Sequence, residues 1–124
     1  MINLKECSFS KLKNFLKRGK YYTYYQLFEN GHKEKVMFRF HSLSFIPNQY
    51  ERNRYNLYHH GCRLALTDNN FEICSDIDKV DYFYIYTGST DDLSFSSKLR
   101  KSSISEIFRY KCVLTRQSLI NKKY

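Results

Sequence analysis

The sequence predicts an α+β fold, a small single domain with an antiparallel sheet of about five strands, a hairpin plus a meander, flanked by an N-terminal and a C-terminal helix. Three observations carry that expectation. Helical periodicity is confined to the two ends of the chain, Asn30-Gly31 separates two alternating runs, and further short alternating runs fill the middle. Strands that follow one another without intervening helices pair antiparallel. At 124 residues the chain fits one domain, 1–124, and buries roughly two thirds of the surface its unfolded form exposes. Such a core requires neither a disulfide framework nor a structural metal.

The first element is a helix from Ser8 to Arg18. Phe9, Leu12, Phe15 and Leu16 share one face, Ser8 is placed to cap its start, and Gly19 to stop it. Tyr21–Phe28 and Lys33–His41 then form a hairpin. Asn-Gly as a two-residue loop favours the type I′ turn, which pairs Tyr21 with Phe40 and Leu27 with Glu34. In that register Tyr22 and Tyr24 lie on the same face as Lys33, Lys35 and Arg39, opposite an apolar face of Val36, Phe38 and Phe40. A slip of one residue would exchange the two faces.

Ser44 to Asn56 reads as an irregular connection, with the only proline, Pro47, and with Tyr50, Arg52, Arg54 and Tyr55. A second hairpin pairs Leu64 with Ile73 and Leu66 with Phe71. Asp81–Thr87 is apolar or aromatic on both faces, which predicts a central strand. Gly88–Ser97 is polar and serine-rich, as connections are. Ser103 to Ile120 is a helix that opens on a capping box, Ser103 with Glu106, and whose apolar stripe is Ile104, Ile107, Phe108, Cys112 and Leu119. Arg109 and Arg116 recur at a spacing of seven along it.

Charge is distributed in blocks. Residues 1–63 hold twelve basic and four acidic side chains, residues 64–97 one and seven, and residues 98–124 eight and one, for a net charge of +9. Two basic segments bracket an acidic one. Basic surface steers phosphate backbones and binds them by counterion release. With 12 Tyr and 10 Phe, rings for stacking are abundant. A single alanine among many Lys, Asn, Ile, Phe and Tyr points to an AT-rich genome, such as that of a phage or large virus.

These observations predict a small basic accessory protein without catalysis. Its partner is expected to be RNA or single-stranded nucleic acid, or a nucleoprotein complex. The binding residues are expected to be Tyr22, Tyr24, Lys33, Lys35, Arg39, Tyr50, Arg52, Arg54, Tyr55, Arg109 and Arg116. Bases stack on the rings while cations hold the phosphates. One alternative is a phage-type inhibitor of a host defence nuclease, acting by protein contact. Another is a metal-independent endoribonuclease, with His59, His60 and Tyr58 for proton transfer and Arg63 or Arg54 against phosphate charge.

No cofactor is expected, since Walker A, G-x-S-x-G and dinucleotide fingerprints are absent. His59-His60-x-Cys62 with Cys74 invites zinc, but lacks two closely spaced ligand pairs. Asp76, Asp78 and Asp81 read as turn and strand-end chemistry. The start of the chain has no apolar core of signal-peptide length and no run long enough for a membrane span, so a cytoplasmic protein with free thiols at Cys7, Cys62, Cys74 and Cys112 is expected.

Overall fold

The pairing of the first two long strands organises the molecule. A computed structural model describes residues 1–27, 31, 33–46, 53–66, 71–73, 79–87 and 95–122. In chain order the elements are β1 (Ile2–Asn3), a 3₁₀ turn (Leu4–Glu6), α1 (Phe9–Phe15), β2 (Tyr21–Leu27), β3 (Lys33–Ile46), β4 (Asn53–His60), β5 (Leu64–Leu66), β6 (Phe71–Ile73), β7 (Val80–Thr87), β8 (Phe95–Lys101) and α2 (Ile104–Lys122). The sheet is antiparallel, in the order β1-β8-β2-β3-β4-β7, with β5 pairing β3 and β6. Two helices and a curled antiparallel sheet make this an α+β domain, with more strands than the sequence pattern predicts.

The first hairpin forms one residue out of the expected register. Tyr21 pairs with Arg39, Tyr22 with Phe38, Tyr24 with Val36 and Leu27 with Lys33, one residue short of the register that a two-residue Asn30-Gly31 turn sets. Gly31 has positive φ, as expected (+81°); Asn30 lies outside the described residues. Because side chains alternate strictly, the slip changes what shares a face. Tyr22 and Tyr24 now join Val36, Phe38 and Phe40 inside, while Tyr21, Thr23 and Tyr25 join Arg39, Met37 and Lys35 outside.

Each face of the sheet has its own apolar cluster. Inside, Leu4, Cys7, Leu12 and Leu16 from the N-terminal segment pack on Tyr22, Tyr24, Phe38, Tyr55, Leu57, Ile85 and Leu99. Outside, Tyr110 of α2 packs on Met37, Cys62, Leu64 and Leu66, with Ile107, Val113 and Leu114 against them. The helix therefore docks through Glu106, Ile107, Tyr110, Val113 and Leu114. In the expected stripe only Ile107 packs. Ile104, Phe108 and Leu119 are 88%, 68% and 57% exposed. A ring with a hydroxyl that donates to the Cys62 carbonyl at 2.8 Å wins the buried position over a bare phenyl.

The caps behave as their sequences predict. The Ser8 hydroxyl accepts from Lys11 N–H at 3.3 Å, and α1 ends where Leu16 turns extended. Tyr22 closes that end from the sheet: its hydroxyl accepts from Lys17 N–H at 2.7 Å and donates to the Phe15 carbonyl at 3.0 Å. The Ser103–Glu106 capping box forms in both directions, at 2.7 and 3.2 Å.

Three other expectations are corrected. Both ends of the Ser44–Asn56 connection are strand: β3 runs on to Ile46 and β4 begins at Asn53, with Leu43 opposite Leu57 and Phe45 opposite Tyr55. The serine-rich segment becomes strand from Phe95, and β8 pairs with both β1 and β2. Its apolar signal is thin, since Lys98 and Lys101 are exposed and Leu99 alone among 98–101 is buried. Finally, β7 pairs only with β4 among the described residues and is an edge strand. Its tyrosines imitate a doubly buried pattern because a phenol ring tolerates half exposure. The second hairpin forms in its expected register, Leu64 with Ile73 and Leu66 with Phe71.

β4 and β5 lie along the same edge of β3, opposite residues 40–46 and 35–37 respectively. Between them the chain bends at Gly61, whose φ is +46°. That bend divides the outer surface. The part over β2, β3 and β5 is covered by α2, and the part over β4 and β7 is not.

Candidate nucleic-acid interface

The predicted aromatic-basic face of the first hairpin does not form. Tyr22 and Tyr24 are 0% and 2% exposed, and Tyr55 is 0% exposed, stacked on Phe9 with its hydroxyl accepting from Thr87. No base can reach these rings in the folded protein. Their burial follows from the register of β2 on β3 and, for Tyr55, from the inward alternation of β4. Lys35 is on the other side of the sheet, paired with Glu106 at 2.7 Å. Arg39 is exposed, with Nε donating to the Gly19 carbonyl at 3.3 Å. Lys33, Arg109 and Arg116 are exposed. Tyr50 and Arg52 lie outside the described residues.

A different aromatic-basic surface is built by β4 and β7. Residues Arg54, Asn56, Tyr58 and His60 alternate outward from β4, and pair with Tyr86, Tyr84, Tyr82 and Val80 of β7. Tyr82 and Tyr84 are 47% and 46% exposed, and Tyr58 and Tyr86 are half-buried. Ring centroids are 5.6 Å apart for Tyr58–Tyr82 and 5.8 Å for Tyr82–Tyr84. The Arg54 guanidinium lies 4.8 Å from the Tyr84 ring centre, within cation–π range. Inward residues Tyr55, Leu57 and Ile85 anchor the same two strands in the core. The tyrosines thus stand on a rigid support, with their outer ring faces toward solvent.

Among the described residues, Arg54 is the one predicted binding residue that belongs to this row. Tyr82 and Tyr84 were legible as one side of an alternating strand, but that strand's expected central position disguised their exposure.

Cations continue the surface beyond His60. The rings of His60 and His41 are 5.0 Å apart, and Arg18 Nη2 donates to His41 Nε2. A guanidinium cannot accept, so His41 Nε2 is the acceptor and Nδ1–H donates to Ser42 Oγ, 2.8 Å away. Burial, then Arg39, His41 and Arg18, hold the His60 pKa below its ordinary value. Arg18 and Arg39, beside the uncharged histidine pair, form a positive edge next to the tyrosine row.

Of the groups expected for a ribonuclease, Arg54, Tyr58 and His60 share the outward row of β4, and His59 does not. His59 is fully buried, with its ring against Phe38 and Phe83. Burial and nearby Arg63 lower its pKa to about 4, so at neutral pH it is an uncharged core residue that substrate cannot touch. His59 packs in the inner cluster's surroundings while Cys62 is in the outer cluster, which separates the two as metal ligands. Among the described residues no group of three His, Cys, Asp or Glu side chains could hold a metal ion, and no helix is long and apolar enough to cross a membrane.

Comparison with protein-family models, curated proteins and solved structures gave no match.

Proposed function

We propose that this protein binds single-stranded nucleic acid, without catalysis, through the outward face of β4 and β7. The observation that carries the reading is the row Tyr58, Tyr82 and Tyr84 with Arg54 against it, on strands whose other face is core. Bases stack on phenol rings without regard to sequence, and the cations of Arg54, Arg18 and Arg39 take the phosphates. Each stacked base contributes roughly 1–3 kcal/mol, so two or three rings suffice for useful affinity at moderate salt.

The test is a fluorescence-anisotropy titration of a labelled single strand across a salt series. Tyr82→Ala with Tyr84→Ala is expected to weaken binding roughly tenfold or more while leaving the salt slope unchanged, because stacking releases no counterions. Arg54→Gln is expected to flatten the slope by about one unit. Affinity untouched by both changes would overturn the proposal.

A second reading, protein contact as an inhibitor would use it, draws on the exposed apolar stripe of α2, Ile104, Phe108 and Leu119. Arg109, Lys111 and Arg116 flank it, so its partner would be an acidic surface. Loss of that partner on Phe108→Asp, with nucleic-acid affinity intact, is the outcome that favours this reading.

A further inference from the structure

We infer that the cleft where the α1–β2 turn, the end of β8 and α2 meet is a separate anion site, built for a triphosphate group carried by a nucleoside or by the 5′ end of an RNA. The cleft has a volume of about 540 Å³, and Lys17, Lys20, Lys101 and Lys111 line it with Tyr21 and Ile107 and no carboxylate. Volumes of roughly 300–1,000 Å³ are those of small-molecule sites. This site stands independently of the tyrosine row.

The absence of acid from the lining has a structural cause. The one acidic residue of α2, Glu106, is buried, and its two oxygens are occupied by Arg100, Lys35 and the Ser103 N–H, all at 2.7–3.0 Å. The carboxylate that could have neutralised the lysines is thus consumed inside the fold. Four lysines lining one cleft concentrate positive charge there, and a compact polyanion offsets it. A triphosphate, with roughly four negative charges near neutral pH from the ionisation of its phosphates, matches them in number. Lysine suits this role, as a flexible point charge that adapts to several phosphate oxygens.

The remaining wall is suited to the base. The Tyr21 ring is half-buried and held edge-on by Tyr110, with centroids 5.3 Å apart. Lys111 Nζ is 5.9 Å from its centre. Ile107 supplies apolar surface beside it. A phosphate group against the lysines would leave an attached nucleobase next to this ring and side chain.

Isothermal titration calorimetry with tripolyphosphate, ATP, and an RNA oligonucleotide bearing either a 5′-triphosphate or a 5′-hydroxyl tests the inference. Tripolyphosphate is expected to bind one to one. Combining Lys20→Ala, Lys101→Ala and Lys111→Ala is expected to weaken it roughly a hundredfold or more, with an unchanged circular dichroism spectrum. If that variant fails to fold, single Lys→Gln changes at the same positions are each expected to cost roughly tenfold. Tighter binding of ATP than of tripolyphosphate assigns a free nucleotide, and preference for the 5′-triphosphate RNA over its 5′-hydroxyl form assigns an RNA end. Tyr82→Ala with Tyr84→Ala is expected to leave ATP affinity unchanged, which separates this site from the β4–β7 surface. Tripolyphosphate that fails to bind near physiological ionic strength, or binds the lysine variants as well as the parent, overturns the inference.

Discussion

On β2, Tyr22 and Tyr24 face the strand's apolar neighbours and are core, while Tyr21 and Tyr25 lie on the other face. On the outward face of β4 and β7, Tyr58, Tyr82, Tyr84 and Tyr86 stand beside Arg54 and Asn56, and Tyr82 and Tyr84 face water. Tyr24 is 2% exposed and Tyr84 46%, although both lie in runs of similar composition. The difference is what lies over each face. Tyr22 and Tyr24 point to the side filled by α1 and the N-terminal segment, and their hydroxyls find partners there: Tyr22 at the end of α1, Tyr24 with Arg63 at 3.2 Å. The outward side of the same strands is closed by α2. The Gly61 bend carries β4 and β7 away from that cover. A tyrosine becomes a binding group or a core group according to the neighbour that the topology brings, and its hydroxyl permits either outcome.

The largest effect is expected where a predicted binding ring is core. Tyr22→Ala removes a fully buried ring and both hydrogen bonds at the end of α1, and is expected to destabilise by about 3–5 kcal/mol in urea denaturation, in the range of large aromatic truncations. A stability loss under 1 kcal/mol would mean that Tyr22 is solvent-facing after all.

Next is the ion cluster that fastens α2 to the sheet. Burial alone would raise the Glu106 pKa, but Arg100, Lys35 and the Ser103 N–H outweigh it and hold the carboxyl well below the usual range. Thr23 Oγ1 also donates to Glu106 Oε2 at 3.5 Å and lies 2.7 Å from Ser102 Oγ. Glu106→Ala strands two cations and removes the capping box, with an expected cost of about 3 kcal/mol. The same denaturation series at high salt is expected to narrow the difference only slightly, because the carboxylate is 5% exposed.

A comparable effect is expected from acid. His59 is neutral and buried in the fold, with a pKa of about 4, against an ordinary 6.5. The unfolded chain takes up its proton first, so stability falls as pH drops below about 6.5 and the contribution is fully lost below about 4, amounting to about 3 kcal/mol. Glu106 adds a further loss at lower pH, below the ordinary carboxylate range, where only the unfolded chain protonates. His59→Leu is expected to flatten the upper part of this profile. An unchanged slope between pH 6.5 and 4 would show that His59 is open to water.

Smaller again is the turn. Gly31 has φ of +81° and open space around its Cβ position, so Gly31→Val costs strain alone, about 1–2 kcal/mol. The smallest effect on stability completes the comparison. Tyr84→Ala is expected to change it by about 0.5 kcal/mol or less, while weakening nucleic-acid binding. A large loss of stability would place Tyr84 with Tyr22 and remove the contrast.

Elements whose information is local are legible in the chain alone. Ser8 and the Ser103–Glu106 box mark helix starts because capping involves residues three apart. The Leu64–Leu66 and Phe71–Ile73 pairing follows from two short alternating runs close together. The α+β class follows from where helical and alternating periods fall. The remaining features depend on distant partners. The register of β2 on β3 is set by which residues the inner core takes, and one residue of slip sent Tyr22 and Tyr24 inside and Lys35 to Glu106. Strand β8 exists because β1 and β2 supply its backbone hydrogen bonds, with Leu99 the one buried side chain over 98–101. The open tyrosine row exists because α2 docks elsewhere, on Met37, Cys62, Leu64 and Leu66, and among the described residues β7 pairs with β4 alone. Alternation along a chain records that a strand has two faces; burial depends on contacts between residues far apart in sequence, and those contacts choose which face is covered.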